Sequence, residues 1–372
     1  MEKNNKTLNV PPLRFPEFSG EWEKCTIGDF GNIITGNTPP TADEENYANG
    51  THLWASPADL GATKYIESTQ TLLSDKGFDK TRAFPAHSIL VTCIGSTIGK
   101  IGMSKSVMAS NQQINTIVPI RHDANFVYYA VQSRFPRYLS SIAVQAVPIL
   151  SKSAFEKLDN FTTSKEEQIK IGNFLALIDE RIDAQRKIIE KLESLIKGLC
   201  QKLTEQDNPN TALNETLVCY SSTLQESSVQ EAGDYPVYGA TGVCGYTNAP
   251  EVDGDSILII KDGASVGITY YASSKYSAIG TLNRLVAKRG YSLRYLYYCL
   301  KVFNFAPYRT GLAIPHIYFR DYGKAKVWCP SLDEQQRIAD ALTKVEQKIA
   351  MEKSILEQLY SQKRFLLQAM FI

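Results

Sequence analysis

Apolar residues recur at alternating steps of four and three between Ile171 and Leu203: Ile171, Leu175, Ile178, Ile182, then Ile189, Leu192, Ile196, Leu199 and Leu203. A period of 3.5 is the seam of a helix that packs lengthwise against another helix. The one gap is Gln185. The ladder returns as Ile338, Leu342, Val345, Ile349, Leu356, Leu359, Leu366 and Met370, with its polar gap at Glu352. Ile338 stands to Ile171 as Glu352 stands to Gln185, at one constant offset. A seam that cannot bury itself, present twice at matched length, predicts that each copy partners the other. Ile188 and Leu195 widen the first stripe, as in an ordinary packing helix, which is the competing reading. Lys363 stands where the first ladder has Ile196, so the second ladder is expected to be the weaker. Gln185 and Glu352 are candidate polar layers that set register.

Both helices open on a capping-box pattern, Ser164-Lys-Glu-Glu167 and Ser331-Leu-Asp-Glu334, each followed by Gln. At 1.5 Å per residue each ladder is roughly 50 Å long. The chain leaves the first helix, builds about 125 residues, and enters the second. Short connections favour antiparallel helices, with a globular segment at each end of the rod.

Outside the helices the pattern is mixed. Residues 1–10 read as disordered, and Pro11 to Phe18 with Trp22 as an aromatic, proline-rich extended entry. Gly36 to Pro40 reads as a loop. His87 to Ile94 is a buried strand, Gly95-Ser-Thr-Ile-Gly99 a turn, and Asn115 to Ile120 a further strand. Phe126 to Leu139 has helical spacing, and Ala146 to Ile149 is a loop. Residues 205–215 form a polar linker, after which the pattern repeats. Ser256 to Ile260 matches Ser88 to Thr92, Gly263 to Gly267 matches Gly95 to Gly99, Asn283 matches Asn115, and Ile314-Pro315 matches Val147-Pro148. All of these keep the offset of the ladders to within a single position. Domain and helix are duplicated together, a period too long for a solenoid. The fold class is α/β (α+β): two similar mixed domains separated by a long antiparallel two-helix coiled coil. The expected segments are 1–163, 164–204, 205–330 and 331–372.

Seven scattered cysteines without a C-x-x-C fit reduced cytoplasmic thiols, neither a disulfide framework nor a zinc site. No apolar run approaches the ~20 residues of a membrane span, and Met1 to Val10 lacks the apolar core of a secretory signal. Net charge is +1, but its distribution is uneven. Lys80 to Lys157 carries nine Lys or Arg against Asp123 and Glu156, and Ile257 to Pro330 carries eleven against Asp262 and Asp321. A basic half in each domain fits a phosphate-facing surface; plain solvation is the alternative.

Catalytic patterns fail on inspection. Gly95 to Lys100 has three residues between its glycines and no Ser or Thr after Lys100, and the second copy has no Lys, so neither is a phosphate loop. Asn37-Thr-Pro-Pro40 only partly matches the Asn-Pro-Pro-Tyr loop of amino-methyltransferases. There is no glycine-rich cofactor loop after a strand, no nucleophile elbow and no metalloprotease motif. Asp59 and Glu67 read as solvated surface. The chain looks non-catalytic, with no cofactor.

The entry Leu13-Arg-Phe-Pro-Glu-Phe-Ser-Gly-Glu-Trp22, the Ser-x-x-Glu-Gln helix starts, Tyr235-Pro-Val-Tyr-Gly239 with Gly245-Tyr246, and the duplicated layout together resemble the specificity subunits of type I restriction–modification systems. The resemblance covers essentially the whole chain. It implies two target-recognition domains, each reading one half of a bipartite double-stranded DNA site, with the helices fixing the unread spacer. It also implies docking of two methyltransferase subunits, which bring S-adenosylmethionine, and through them motor-nuclease subunits. A rod of ~50 Å spans roughly 15 base pairs, which suits that role. Candidate DNA-binding residues are Lys100, Lys105, Gln145 and Lys152 in the first domain and Lys261, Arg284, Arg309 and His316 in the second; each is weighed against plain solvated surface. The competing functions are a coiled-coil scaffold without DNA and a self-contained methyltransferase or nuclease.

Overall fold

The computed structural model describes residues 9–141, 148–311 and 314–372. The residues fall into two compact units, 1–187 with 354–372, and 188–353. The reading of residues 1–10 as disordered falls largely on 1–8, outside the described residues, and the loop at 146–149 is described only from Pro148.

In the first unit a five-stranded sheet has the order Gly31–Thr35, Ile114–Pro119, Ile89–Thr92, Ile101–Ser104, Tyr65–Ile66, antiparallel except for the last, parallel pair. A three-stranded sheet joins Thr71–Leu73, His52–Ala55 and Ala109–Ser110. The strand Ile89–Thr92 is buried on both faces, which explains its unbroken apolar run. Ile89 and Val91 face the core of Phe126, Tyr129 and Val131 from the helix Ala124–Ser141. Leu90 faces Ile114, Met108 and Phe84 on the other side.

The second unit repeats this frame. Leu217–Ser221, Leu282–Ala287, Ser256–Ile260 and Thr269–Ala272 form one antiparallel sheet. A second four-stranded sheet contains the hairpin Tyr235–Gly239 and Gly242–Thr247. The helix Leu293–Val302 packs Tyr295, Leu296 and Cys299 against Ile257, Ile259 and Leu285. The expected linker is shorter than 205–215: Thr211–Ala212 pairs with Lys326–Val327, and Leu213–Thr216 is already helical. Ala212 and Leu213 are buried, so apolar contact outweighs the polar composition around them.

The long helices run Lys165–Thr204 and Leu332–Ala369. In the first unit Leu13 N donates to Ala369 O (2.8 Å) and Arg14 Nε to Glu167 Oε1 (2.7 Å), so one helix begins beside the other's end; Asp179 meets Lys363 further along. In the second unit Glu193 pairs with Lys353 at 2.6 Å, while Cys200 lies near Glu346. In each unit the pairing is antiparallel. Ile171, Leu175, Ile178 and Ile182 pack with Leu356, Leu359, Leu366 and Met370; Ile196 packs with Ile338, Leu342 and Ile349. Each buried Leu or Ile contributes about 1.5–3 kcal/mol. Ile188 and Leu195 are 43 % and 50 % exposed, so the stripe stays narrow, as a seam requires.

Two local expectations change. Ser164 Oγ and Ser331 Oγ do accept from the N–H of Glu167 and Glu334, but the glutamates turn elsewhere, to Arg14 and Thr163 and to Arg337. Asp59 is not mere surface: its carboxylate accepts from Ser56 N, Ser56 Oγ and Gln70 N, and so fixes the turn after His52–Ala55.

Candidate nucleic-acid interface

Each unit carries the same glycine turn. Gly95 and Gly99 have φ of +97° and +93°; Gly263 and Gly267 have +99° and +93°. Gly99 N donates to Thr92 O and Gly267 N to Ile260 O, both at 2.9 Å, closing the turn between adjacent strands. The loop before the next helix is tied to it, through Gly95 N to Pro148 O (3.0 Å) and Gly263 N to Pro315 O (2.9 Å). Beside each turn a hydroxyl donates to a buried asparagine: Thr35 Oγ1 to Asn115 Oδ1 at 2.7 Å, and Ser221 Oγ to Asn283 Oδ1 at 3.1 Å.

The second unit gathers three of the predicted residues here. Lys261 O accepts from Ile317 N at 2.9 Å; His316 Nδ1 lies 2.8 Å from Asp262 Oδ1; Arg309 Nη2 donates to Val266 O at 3.0 Å. Arg284 is placed differently. It lies mid-strand, its guanidinium 4.3 Å from the ring centre of Tyr220, where stacking on an aromatic face stabilises it.

The first unit is less convergent. The stem of Lys100 packs on Gly61, and its Nζ is 3.4 Å from Pro57 O. Lys152 opens a short helix beside the turn and pairs with Glu156 at 3.6 Å. Lys105 follows the strand Ile101–Ser104 at the end away from the turn and pairs with Glu67 at 2.5 Å. Gln145 lies outside the described residues.

Sequence reasoning missed several groups. Ser221, Tyr318 and Arg320, none of them a predicted contact, join the predicted Lys261 and the repeat-matched Asn283 in lining a cavity of about 380 Å³ in the second unit. Tyr318 is 44 % exposed, with the Arg320 guanidinium 4.8 Å from its ring centre. The matching Thr35 and Ser221 lie further apart in sequence than the other repeated pairs, so a search at the common offset cannot pair them.

A polar network joins each domain helix to the long helices. Tyr129 Oη donates to Asp179 Oδ2 at 2.6 Å, and Asp179 Oδ1 pairs with Lys363 Nζ at 2.6 Å. Lys64, 4 % exposed, donates to Asn125 Oδ1 (2.6 Å) and Tyr129 Oη (3.3 Å). Burial pushes its ammonium down to about 8, against the pull of Asp179. Burial, then the Asp179 charge, raises the Asp183 carboxyl. In the second unit Tyr298 Oη donates to Glu346 Oε2 at 2.8 Å, and Lys301 pairs with Glu346.

Among the described residues no cluster of His, Cys, Asp and Glu is arranged to hold a metal ion, and no helix is long and apolar enough to cross a membrane.

This duplicated frame matches known proteins. The family model "Type I restriction modification DNA specificity domain" matches residues 19–194 and 220–361, one match over each copy. The chain belongs to that family. It is 33 % identical over 151 residues to the type I restriction enzyme HindI specificity subunit of Haemophilus influenzae, covering 39 % of this chain and 32 % of that protein. It is 27 % identical over 128 residues to the EcoR124I/EcoR124II specificity subunit of Escherichia coli, covering 33 % and 31 %. The matched stretch thus spans about a third of each of these relatives. The crystal structure of a type I restriction–modification S subunit from M. genitalium superposes with a TM-score of 0.66 at 21 % identity, over 98 % of this chain and 99 % of that one, which establishes the shared fold.

Proposed function

We propose that this chain is the DNA-specificity subunit of a type I restriction–modification complex. Each unit reads one half of a split double-stranded DNA site, and the paired helices set the unread spacer. The division into segments 1–163, 164–204, 205–330 and 331–372 belongs to this reading. The chemistry resides in partners: two methyltransferase subunits with S-adenosylmethionine, and motor-nuclease subunits. The complex acts in the cytoplasm. Lys100, Lys152, Lys261, Arg309 and His316 contact DNA near the glycine turns; Lys105, Gln145 and Arg284 are kept as contacts further out.

The observation that carries this reading is one backbone frame built twice, glycine turn, hydroxyl–asparagine pair and helix anchor included, with different side chains on it. A shared frame with unlike surfaces suits two readers of unlike sequences; phosphate contacts position each and base edges specify. The test is co-expression with the methyltransferase subunit and sequencing of methylated bases in the host DNA. A split, asymmetric motif is expected. Absence of sequence-specific methylation by an assembled complex would overturn the proposal.

A further inference from the structure

The two units share one turn whose side chains differ, and the difference is chemically one-sided. Ile114 N donates to Asn111 O at 3.2 Å, and Leu282 N to Ile279 O at 3.1 Å. Cys93 N donates to Gln113 O at 2.8 Å, and Lys261 N to Thr281 O at 3.0 Å. The backbones therefore correspond residue for residue: Asn111, Gln112 and Gln113 in the first unit stand where Ile279, Gly280 and Thr281 stand in the second.

In the first unit both amide carbonyls are already engaged. Thr38 Oγ1 donates to Gln112 Oε1 at 2.5 Å. Asn111 Nδ2 donates to Gln113 Oε1 at 3.1 Å, while Asn111 Oδ1 accepts from Gln113 N at 3.0 Å. Each carbonyl is thus turned onto a protein donor, and the NH₂ is the group each glutamine is left to donate. Arg82 joins them: its N–H donates to Asn37 Oδ1 (2.9 Å) and Nη1 to Thr35 O (3.1 Å), on the segment that carries Thr38. Arg82 is exposed. Gln112 is exposed as well. The nearby charge of Lys80 is shared with Asp43 at 3.1 Å.

We propose that Gln112, held by Thr38 and flanked by Gln113 and Arg82, is a base-reading side chain that donates to an acceptor edge in the major groove. This rests on the DNA-specificity reading above. Purine N7, guanine O6 and thymine O4 accept there, whereas cytosine offers only its N4 donor. Gln112 therefore discriminates against cytosine at one position of the first half-site. Phosphate oxygens are acceptors too, so a backbone contact is the rival source of the same chemistry. At the matching place the second unit has Gly280, which presents no side chain, so the second half-site lacks this contact.

The test uses the full chain assembled with its methyltransferase subunits, acting on a DNA library with randomised sites, read by sequencing of methylated bases. For Gln112→Ala, one position of one half-site relaxes by about tenfold while the other half is unchanged. For Gln112→Glu, which keeps the shape and replaces the donor by an acceptor, preference at that position moves to a base presenting a donor. Gly280→Gln gains a preference in the second half-site; a Cβ there meets Ser222 O at 3.5 Å and Leu224 O at 3.6 Å, ordinary contact distances. An unchanged motif in both Gln112 variants overturns the proposal. So does a uniform loss of binding with a shallower salt dependence, the mark of a phosphate contact. Wild-type complex that yields no split motif defeats the specificity reading itself, an outcome visible before any variant is made.

Discussion

Asp179 and Lys363 meet at 2.6 Å with side chains only 10 % and 13 % exposed, one from each long helix. The position that weakens the second apolar ladder is thus the cation of a buried pair. Its counterpart in the second unit is Glu346, which stands to Asp179 as Ile338 stands to Ile171. There the cation is Lys301, from the domain helix, and the seam position matching Lys363 is the buried Ile196. The same carboxylate place is neutralised from different elements in the two units.

Breaking that pair on one side is costly. Lys363→Met leaves Asp179 buried without its cation and is expected to lower unfolding stability by about 3–5 kcal/mol. Lys363→Met with Asp179→Leu recovers most of the loss, because the charge is removed with its partner. Urea unfolding of the two variants and a double-mutant cycle check this; equal losses in both would contradict it.

Lys64 gives a pH signature. Its folded value, about 8, lies below the ordinary 10.5. Below pH 8 both states hold the proton and the burial penalty is fully present. Between 8 and 10.5 the unfolded chain still holds a proton the fold has released, so this group's contribution to stability rises with pH. Asp179, Lys363, Asp123 and Glu180 are the charges around it. The gain of Lys64→Met over wild type should therefore be about 3 kcal/mol larger at pH 7 than at pH 10.5. The difference cancels the thiol and phenol titrations common to both proteins.

Gln335 is 1 % exposed; its Oε1 accepts from Ser292 N (3.0 Å) and its Nε2 donates to Pro330 O (2.9 Å). Gln168 does the same with Asp123 N (2.9 Å) and Thr163 O (2.7 Å). Each glutamine thus ties the start of a domain helix to the start of a long helix. Gln335→Leu leaves a half-buried N–H and a half-buried carbonyl without their partner and should cost about 1–3 kcal/mol, readable as a lowered Tm.

The glycine turn allows an internal comparison. Gly263 and Gly267 both have positive φ, but a Cβ meets nothing within 4 Å at Gly263 and lies 2.8 Å from Phe305 Cδ2 at Gly267. Gly263→Ala should cost only the backbone strain, about 1–2 kcal/mol. Gly267→Ala adds a clash against a buried ring and should cost clearly more. Equal melting temperatures for the two would refute the packing argument.

The proposed spacer role makes a length prediction. One heptad inserted after Lys187 and one after Ser354 should lengthen the unread spacer of the methylated motif and leave both half-sites intact. An unchanged spacer in sequenced methylated DNA would count against it.

Much of the frame was legible because periodicity reports burial. The 3.5 ladders, the apolar strand Ile89–Thr92 and the paired glycine turns each follow from which face is hidden. Polar function was less legible. Lys363 looked like a defect because its partner Asp179 is distant in sequence, and Asp59 looked like surface because its bonds are to local backbone N–H groups. The charge distribution favoured Lys and Arg as contacts, so the uncharged amides of Gln112 and Gln113 passed unnoticed. Their meaning depends on which of their atoms are already bonded, and only coordinates supply that.

The unlike origin of the two cations bears on how this chain tolerates fission. If it were severed into two polypeptides, two copies of the front piece zipping to each other would bring Ile196 where Asp179 needs Lys363, stranding a carboxylate in an oily seam. Front with rear restores the match. A broken gene would thus still encode a front fragment that chooses the unlike mate over its own twin.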